Sequence, residues 1–166
     1  MLNYEILKKI SLFKYLNKSE FNLILPIVKK VSYKEGDVII DEGEIGSEIF
    51  ILTKGLVSVT QKLVLGKESF SLDKEKIVSK LSSENTPFFG EIAIFGDKKR
   101  TASVQALTYC ELLKLDEDGF YKIANDNIEV GFKILKSIVE TVCERLSKAN
   151  NDILKLSIAL AMALKR

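Results

Sequence analysis

The sequence predicts an α+β fold: an antiparallel β-roll, jelly-roll-like, flanked by N-terminal helices and a long C-terminal helix. Three observations carry this expectation. The hydrophobic period is helical over residues 1–30, switches to two over 31–115, and returns to helical over 116–166. Glycines at 36, 43, 46, 55 and 66 punctuate the middle stretch at a spacing suited to short strands joined by tight turns. No glycine or proline follows Gly131. The whole chain, residues 1–166, is one domain's worth of sequence, long enough to bury its own core.

Taken in order, Leu2, Ile6 and Leu7 recur at helical spacing, as do Phe21, Leu23, Ile24 and Ile27. Ser19 is a reasonable N-cap for the second helix, and Pro26 should kink or end it. The strand signals are Val38 with Ile40, the run Ile49 to Leu52, Val57 with Val59, Val104 with Ala106, and Leu113 with Leu115. Lys62 to Lys76, rich in Lys, Glu and Ser, reads as a solvated hairpin excursion. Beyond Asp116, residues Phe132, Leu135, Val139, Val142, Leu146, Ala149, Ile153, Leu156, Leu160 and Ala163 alternate by threes and fours, a heptad seam. A helix from Phe132 to Ala163 would run roughly 48 Å at 1.5 Å per residue. So long a helix should outrun a domain of this size. The expectation is therefore pairing in a homodimer rather than a seam packed wholly on its own β-roll.

Composition removes many functions. Hydrophobic residues make up 46% and charged residues 29%, a globular balance. Twenty-five Lys and Arg against 23 Asp and Glu leave a net charge of +2, too little for a partner that is a bulk polyanion. Zero histidines exclude His-based triads, His-ligated zinc and the non-haem iron facial triad. Two cysteines, Cys110 and Cys143, cannot build a Cys-rich metal site. No cofactor and no metal are expected. Nothing at the N-terminus resembles a secretory signal, and the apolar stretch Leu156 to Leu164 is too short to span a bilayer. The expected location is the cytoplasm, with reduced thiols and no membrane partner.

The stretch from Phe89 to Val104, Phe-Gly-Glu-Ile-Ala-Ile-Phe-Gly-Asp-Lys-Lys-Arg-Thr-Ala-Ser-Val, carries the chemistry. Gly90 permits a sharp turn or a close backbone approach. Glu91 to Phe95 has the makings of one helical turn whose first amides could face an anion. Arg100, just ahead of the alternating strand Thr101 to Ala106, could grip a phosphate with two parallel hydrogen bonds. A carboxylate beside an anion site suits neutral hydroxyls, so Glu91 with Arg100 and free amides suits a sugar phosphate. The alternative is an internal Glu91–Arg100 ion pair.

This stretch resembles the phosphate-binding cassette of cyclic nucleotide-binding domains, the family of bacterial catabolite activators and of the regulatory parts of cyclic-nucleotide-dependent kinases and channels. Glu35 to Ile40 and Glu42 to Gly55 resemble the family's glycine-turned strands, in the right order, and the similarity covers roughly residues 10–150. The resemblance implies that Arg100 binds the exocyclic oxygens of a cyclic phosphate and Glu91 the ribose 2′-hydroxyl. Gly90 would offer its backbone to the ribose, with the amides of Ile92 and Ala93 completing the cradle. Phe89, Val59 and Val78 would be apolar walls, or equally β-roll core. Thr101 is associated with guanine in cGMP-responsive members, or is simply a good strand residue. Asn150 and Asn151 lie where members place base-contacting groups on the long helix, or are polar positions beside a dimer seam. Lys99 departs from the usual proline, which should loosen the turn, and Leu81 to Phe88 lacks the usual Gly-rich approach.

The resulting expectation is a stand-alone sensor of cAMP or cGMP that couples binding to movement of the C-terminal helix toward an unknown downstream protein. The alternative is a dimeric interaction scaffold with a vestigial pocket. An enzyme of the cupin type would need the histidines this chain lacks. Direct reading of DNA is not expected, since no helix-turn-helix follows the long helix before Arg166.

Overall fold

The computed structural model describes residues 8–62, 75–85 and 87–164, with the side chains of 75–78 excepted. A 3₁₀ turn, Ser11–Phe13, leads to helix α1, Lys18–Ile24. The cap of α1 is Asn17, not Ser19. The Asn17 side chain accepts from the Glu20 amide at 3.0 Å, and the Glu20 carboxylate accepts from the Asn17 amide at 2.8 Å. This reciprocal box satisfies two orphan donors where a lone serine would satisfy one. The helix ends before Pro26, and strand β1, Val28–Tyr33, begins three residues earlier than the period change at Val31 implies.

Strands β2, Val38–Ile40, β3, Glu48–Lys54, and β4, Leu56–Lys62, follow. After them come β5, Glu75–Ser82, a 3₁₀ turn, Ser83–Asn85, and β6, Phe88–Phe89. The excursion expected between β4 and β5 lies almost wholly outside the described residues. A single helical turn α2, Ile92–Phe95, precedes β7, Ser103–Ala106, and β8, Cys110–Asp116. Helix α3, Glu117–Asp126, is capped by the Asp116 side chain, and α4 runs from Ile128 to Leu164.

The strands form two antiparallel four-stranded sheets, ordered β1-β8-β3-β6 and β2-β7-β4-β5. The first sheet is covered on both faces, which is why β3 is apolar at Ile49, Phe50, Ile51 and Leu52 without alternation. Ile49, Ile51, Leu113 and Leu115 face the helices, packing with Phe13, Phe21, Ile134 and Ile138. Phe50, Leu52 and Leu112 face the second sheet and meet Ile40, Val57 and Val104. The antiparallel β-roll is therefore present as expected.

Helix α4 has 37 residues, about 55 Å at 1.5 Å per residue. Its first turns bury Val130, Gly131, Ile134, Ser137 and Ile138 against the roll. The heptad seam lies on another face: Phe132, Val139, Leu146, Ile153 and Leu160 are each more than half exposed. A seam packed wholly on its own β-roll is thereby ruled out. Gly131 makes the tight α3–α4 junction, since a Cβ there would lie 2.7 Å from both Cα and Cβ of Ala124.

Candidate functional site

Arg100 is positioned first by its backbone. Its amide donates to the Glu44 carbonyl and its carbonyl accepts from the Gly43 amide, both at 2.9 Å. The Gly46 amide donates to the Lys98 carbonyl at 2.9 Å, and Ile45 bridges Lys99. This short ladder between the loop after β2 and the loop before β7 leaves the Arg100 side chain buried, 7% exposed. There Nη1 donates to the carbonyls of Glu48 (3.0 Å) and Gly90 (3.1 Å), and Nη2 to Glu48 Oε2 (2.9 Å). The guanidinium carbon sits 6.0 Å from the Phe50 ring centroid.

Two glycines make room for this arrangement. A Cβ on Gly46 would lie 2.5 Å from Arg100 Nε and 2.6 Å from Nη2. Gly90 adopts φ +89, and a Cβ there would meet the Glu48 carbonyl at 2.6 Å. Burial is the largest influence on Arg100 and lowers its pKa from the ordinary guanidinium value, against Glu48, Glu44 and Glu91, which raise it.

Where the family usually has proline, the turn carries a hydrogen bond of its own. The Lys99 amide donates to Asp97 Oδ1 at 3.1 Å, a hydrogen bond that proline could not make. Lys98, at φ +64, reaches Glu117 of α3 at 2.7 Å.

Glu91, next to α2, is 4% exposed, and its partner is not Arg100. Arg145 of α4 donates from Nη1 to Glu91 Oε1 at 2.6 Å and from Nη2 to the Phe88 carbonyl at 2.5 Å. Its guanidinium also sits 5.4 Å from the Phe88 centroid. The internal Glu91–Arg100 pair considered from sequence is thus replaced by two pairs, Arg100–Glu48 and Arg145–Glu91. Of the two cradle amides, that of Ala93 already donates to the Gly90 carbonyl, at 3.3 Å.

These residues line a cavity of about 480 Å³, within the range of small-molecule sites. Phe89, Gly90, Glu91, Ile92, Ala93, Arg100, Thr101 and Val59 all contribute to its wall. Val78 stands at a break in the β4–β5 register, between Ser79 and Ile77, but its side chain lies outside the described residues. Asn150 is exposed and is not part of the wall, nor is Asn151. The helix turns Arg145, Lys148, Ala149 and Asp152 toward the cavity instead, at spacings of three, one and three. One step along a helix rotates a side chain by about 100°, which carries position 150 off that face.

Sequence reasoning missed Glu48 and Arg145. Glu48 opens β3 within the glycine-turned stretch, and only its pairing with Arg100 gives it a role. Arg145 stands 54 residues from Glu91 in sequence. One signal was available: a lone arginine in an otherwise Lys-rich helix, the residue suited to a buried carboxylate.

Fold and cavity together define a β-roll with a cavity lined by Arg100, Glu91 and the facing turn of α4. The chain belongs to the cyclic nucleotide-binding domain family, whose model matches residues 30–127. The cAMP-dependent protein kinase regulatory subunit of Dictyostelium discoideum is 32% identical over 119 residues, covering 72% of this chain and 35% of that protein. The cGMP-dependent protein kinase of Plasmodium berghei is 34% identical over 119 residues, 71% of this chain and 12% of that one. The chain thus spans about a third or less of these curated relatives. Among solved structures, a cyclic nucleotide-binding domain from Methylobacillus flagellatus matches with a TM-score of 0.76 at 19% identity, covering 90% of this chain and 79% of that one, a likeness of fold. No helix among the described residues is long and apolar enough to cross a membrane, and none of their His, Cys, Asp and Glu side chains cluster as a metal site.

Proposed function

We propose that this chain is a cyclic nucleotide sensor that binds its ligand without turning it over and passes the event to α4. The observation that carries the proposal is the buried, glycine-cleared Arg100 guanidinium at a cavity that Glu91 also lines. The exocyclic oxygens of a cyclic phosphate would meet Arg100, and the ribose 2′-hydroxyl would meet Glu91. The base would lie between Val59 and the face of α4 that carries Ala149 and Asp152. A carboxylate at Asp152 accepts two parallel N–H bonds from guanine, but only one N–H group from adenine. Together with the Thr101 hydroxyl this favours cGMP over cAMP.

Coupling would run through Arg145. A ribose hydroxyl on Glu91 competes with the Arg145 guanidinium, so ligand binding alters a contact that ties α4 to the cassette. A ligand shifts such an element only through contacts that differ between its two positions. The exposed heptad seam supports a homodimer through α4 as the form in which the helix acts, with a downstream protein and not DNA as the recipient of the signal. The expected location is the cytoplasm.

A second reading, a dimeric scaffold with a vestigial pocket, is favoured by one observation: both Arg100 and Glu91 already have internal partners. Thermal melts separate the two. A ligand held at 100 times its Kd adds about 2.7 kcal/mol of stability. The sensor reading expects a clear rise in Tm with cAMP or cGMP that Arg100→Ala abolishes. No shift with either nucleotide supports the scaffold.

A further inference from the structure

The cavity wall carries Lys80, Lys99, Arg100, Arg145 and Lys148 against the two carboxylates Glu91 and Asp152. That excess of three exceeds the net charge of the entire chain, +2. The cations divide into two kinds. Arg100 and Arg145 are tied to Glu48 and Glu91. Lys80, Lys99 and Lys148 are exposed and hold no side-chain ion pair among the described residues. They come from three different elements, β5, the loop before β7, and α4. Of the wall carboxylates, Asp152 already lies 3.4 Å from Lys155.

We infer that Lys80, Lys99 and Lys148 form a capture ring that draws an anionic nucleotide into the cavity, acting on its rate of arrival and not on its hold once bound. This rests on the cyclic nucleotide reading above. An exposed charge in water contributes little to a bound contact, since solvent and salt screen it. The same charge acts on a diffusing anion over a Debye length, and charged clefts raise association rates by roughly 10- to 1,000-fold. Grip therefore belongs to the buried Arg100 and speed to the exposed ring.

The test is stopped-flow association and dissociation of 8-substituted fluorescent derivatives of cAMP and cGMP. It compares the wild type, the triple variant Lys80→Gln, Lys99→Gln, Lys148→Gln, and the matching triple Lys→Arg variant. At about 0.01 M salt, where the Debye length is about 30 Å, the Gln variant should associate roughly tenfold more slowly. Its dissociation rate should stay within about twofold of the wild type, because no hydrogen bond to the bound ligand is lost. The Arg variant should keep the wild-type association rate, and the difference should vanish near 1 M salt, where screening acts within about 3 Å. An unchanged association rate in the Gln variant overturns the inference. So does a faster dissociation rate at unchanged association, which would place the lysines on the bound ligand. If the wild type binds neither derivative, the sensor reading falls and the capture ring with it, an outcome distinct from both.

Discussion

Arg100 holds three acceptors in a space that two glycines leave open, and its role can be separated from its structural part by substitutions around it. Gly46→Ala inserts a methyl 2.5 Å from Arg100 Nε. The guanidinium is fixed by Glu48 and Gly90, so it must shift rather than swing freely. Nucleotide affinity should fall by about tenfold or more, roughly 1.4 kcal/mol for each factor of ten, with the circular dichroism spectrum unchanged. Wild-type affinity in Gly46→Ala would mean that the position of the guanidinium does not matter. Glu91 is tested by chemistry on the ligand. The 2′-deoxy cyclic nucleotide should bind the wild type more weakly than its ribo form by about 0.5–1.5 kcal/mol, and Glu91→Ala should erase the difference. That both residues lie at one cavity was legible from sequence, because a glycine, a carboxylate and an arginine at that spacing suggest a shared site before any fold is known. Their partners were not. Glu48 and Arg145 matter only through tertiary contact, and the ladder that seats Arg100 is made by the backbone of residues 43–46, which side-chain patterns do not report.

Among the elements, α4 divides at about residue 140. Its first turns bury Val130, Ile134 and Ile138 against the roll, and its later turns expose an apolar seam. The heptad spacing picks out residues of an exposed apolar stripe, although Ala149 among them lines the cavity. It could not show that a second face, offset from the first, would hold the helix to its own domain, because both faces share a helical period. The same limit explains the misplaced α1 cap, since both Asn17 and Ser19 are capping residues and only the return contact from Glu20 selects Asn17. Asn17→Ala should lower stability by about 1 kcal/mol. Gly131→Val should cost more, since the new side chain starts 2.7 Å from the Ala124 backbone and forces α3 and α4 apart. Chemical denaturation reads both, and a Gly131→Val variant as stable as the wild type would contradict the described junction.

For the whole molecule, charge and assembly are the testable properties. Burial pushes the Glu20 carboxyl up, but the hydrogen bonds from Lys133 and the Asn17 amide hold it below its ordinary 4.5. The Lys29 ammonium and the Gly119 amide hold Asp116 below 3.8. Both are depressed in the folded state, so the stability they contribute is complete above those ordinary values and is lost as pH falls through the lower folded ones. Melts from pH 6 to pH 3 should show Tm declining below about pH 4.5, with Glu20→Gln giving a shallower decline. Light scattering tests assembly: the wild type should have the mass of a dimer, and Leu146→Glu with Ile153→Glu, which place charge in the seam, that of a monomer. The β-roll itself was legible because its strands change period sharply at both ends. β5 was not, since its apolar residues Ile77, Val78 and Leu81 follow no period of two in sequence and its register breaks at Val78.

Calorimetric titration of the purified, nucleotide-stripped protein with cAMP and then with cGMP tests the central claim most directly. Micromolar or tighter binding of at least one nucleotide, tighter for cGMP and absent in Arg100→Ala, is the result expected of a sensor built on the Arg100 pocket. No heat with either nucleotide, or equal binding by Arg100→Ala, would contradict it.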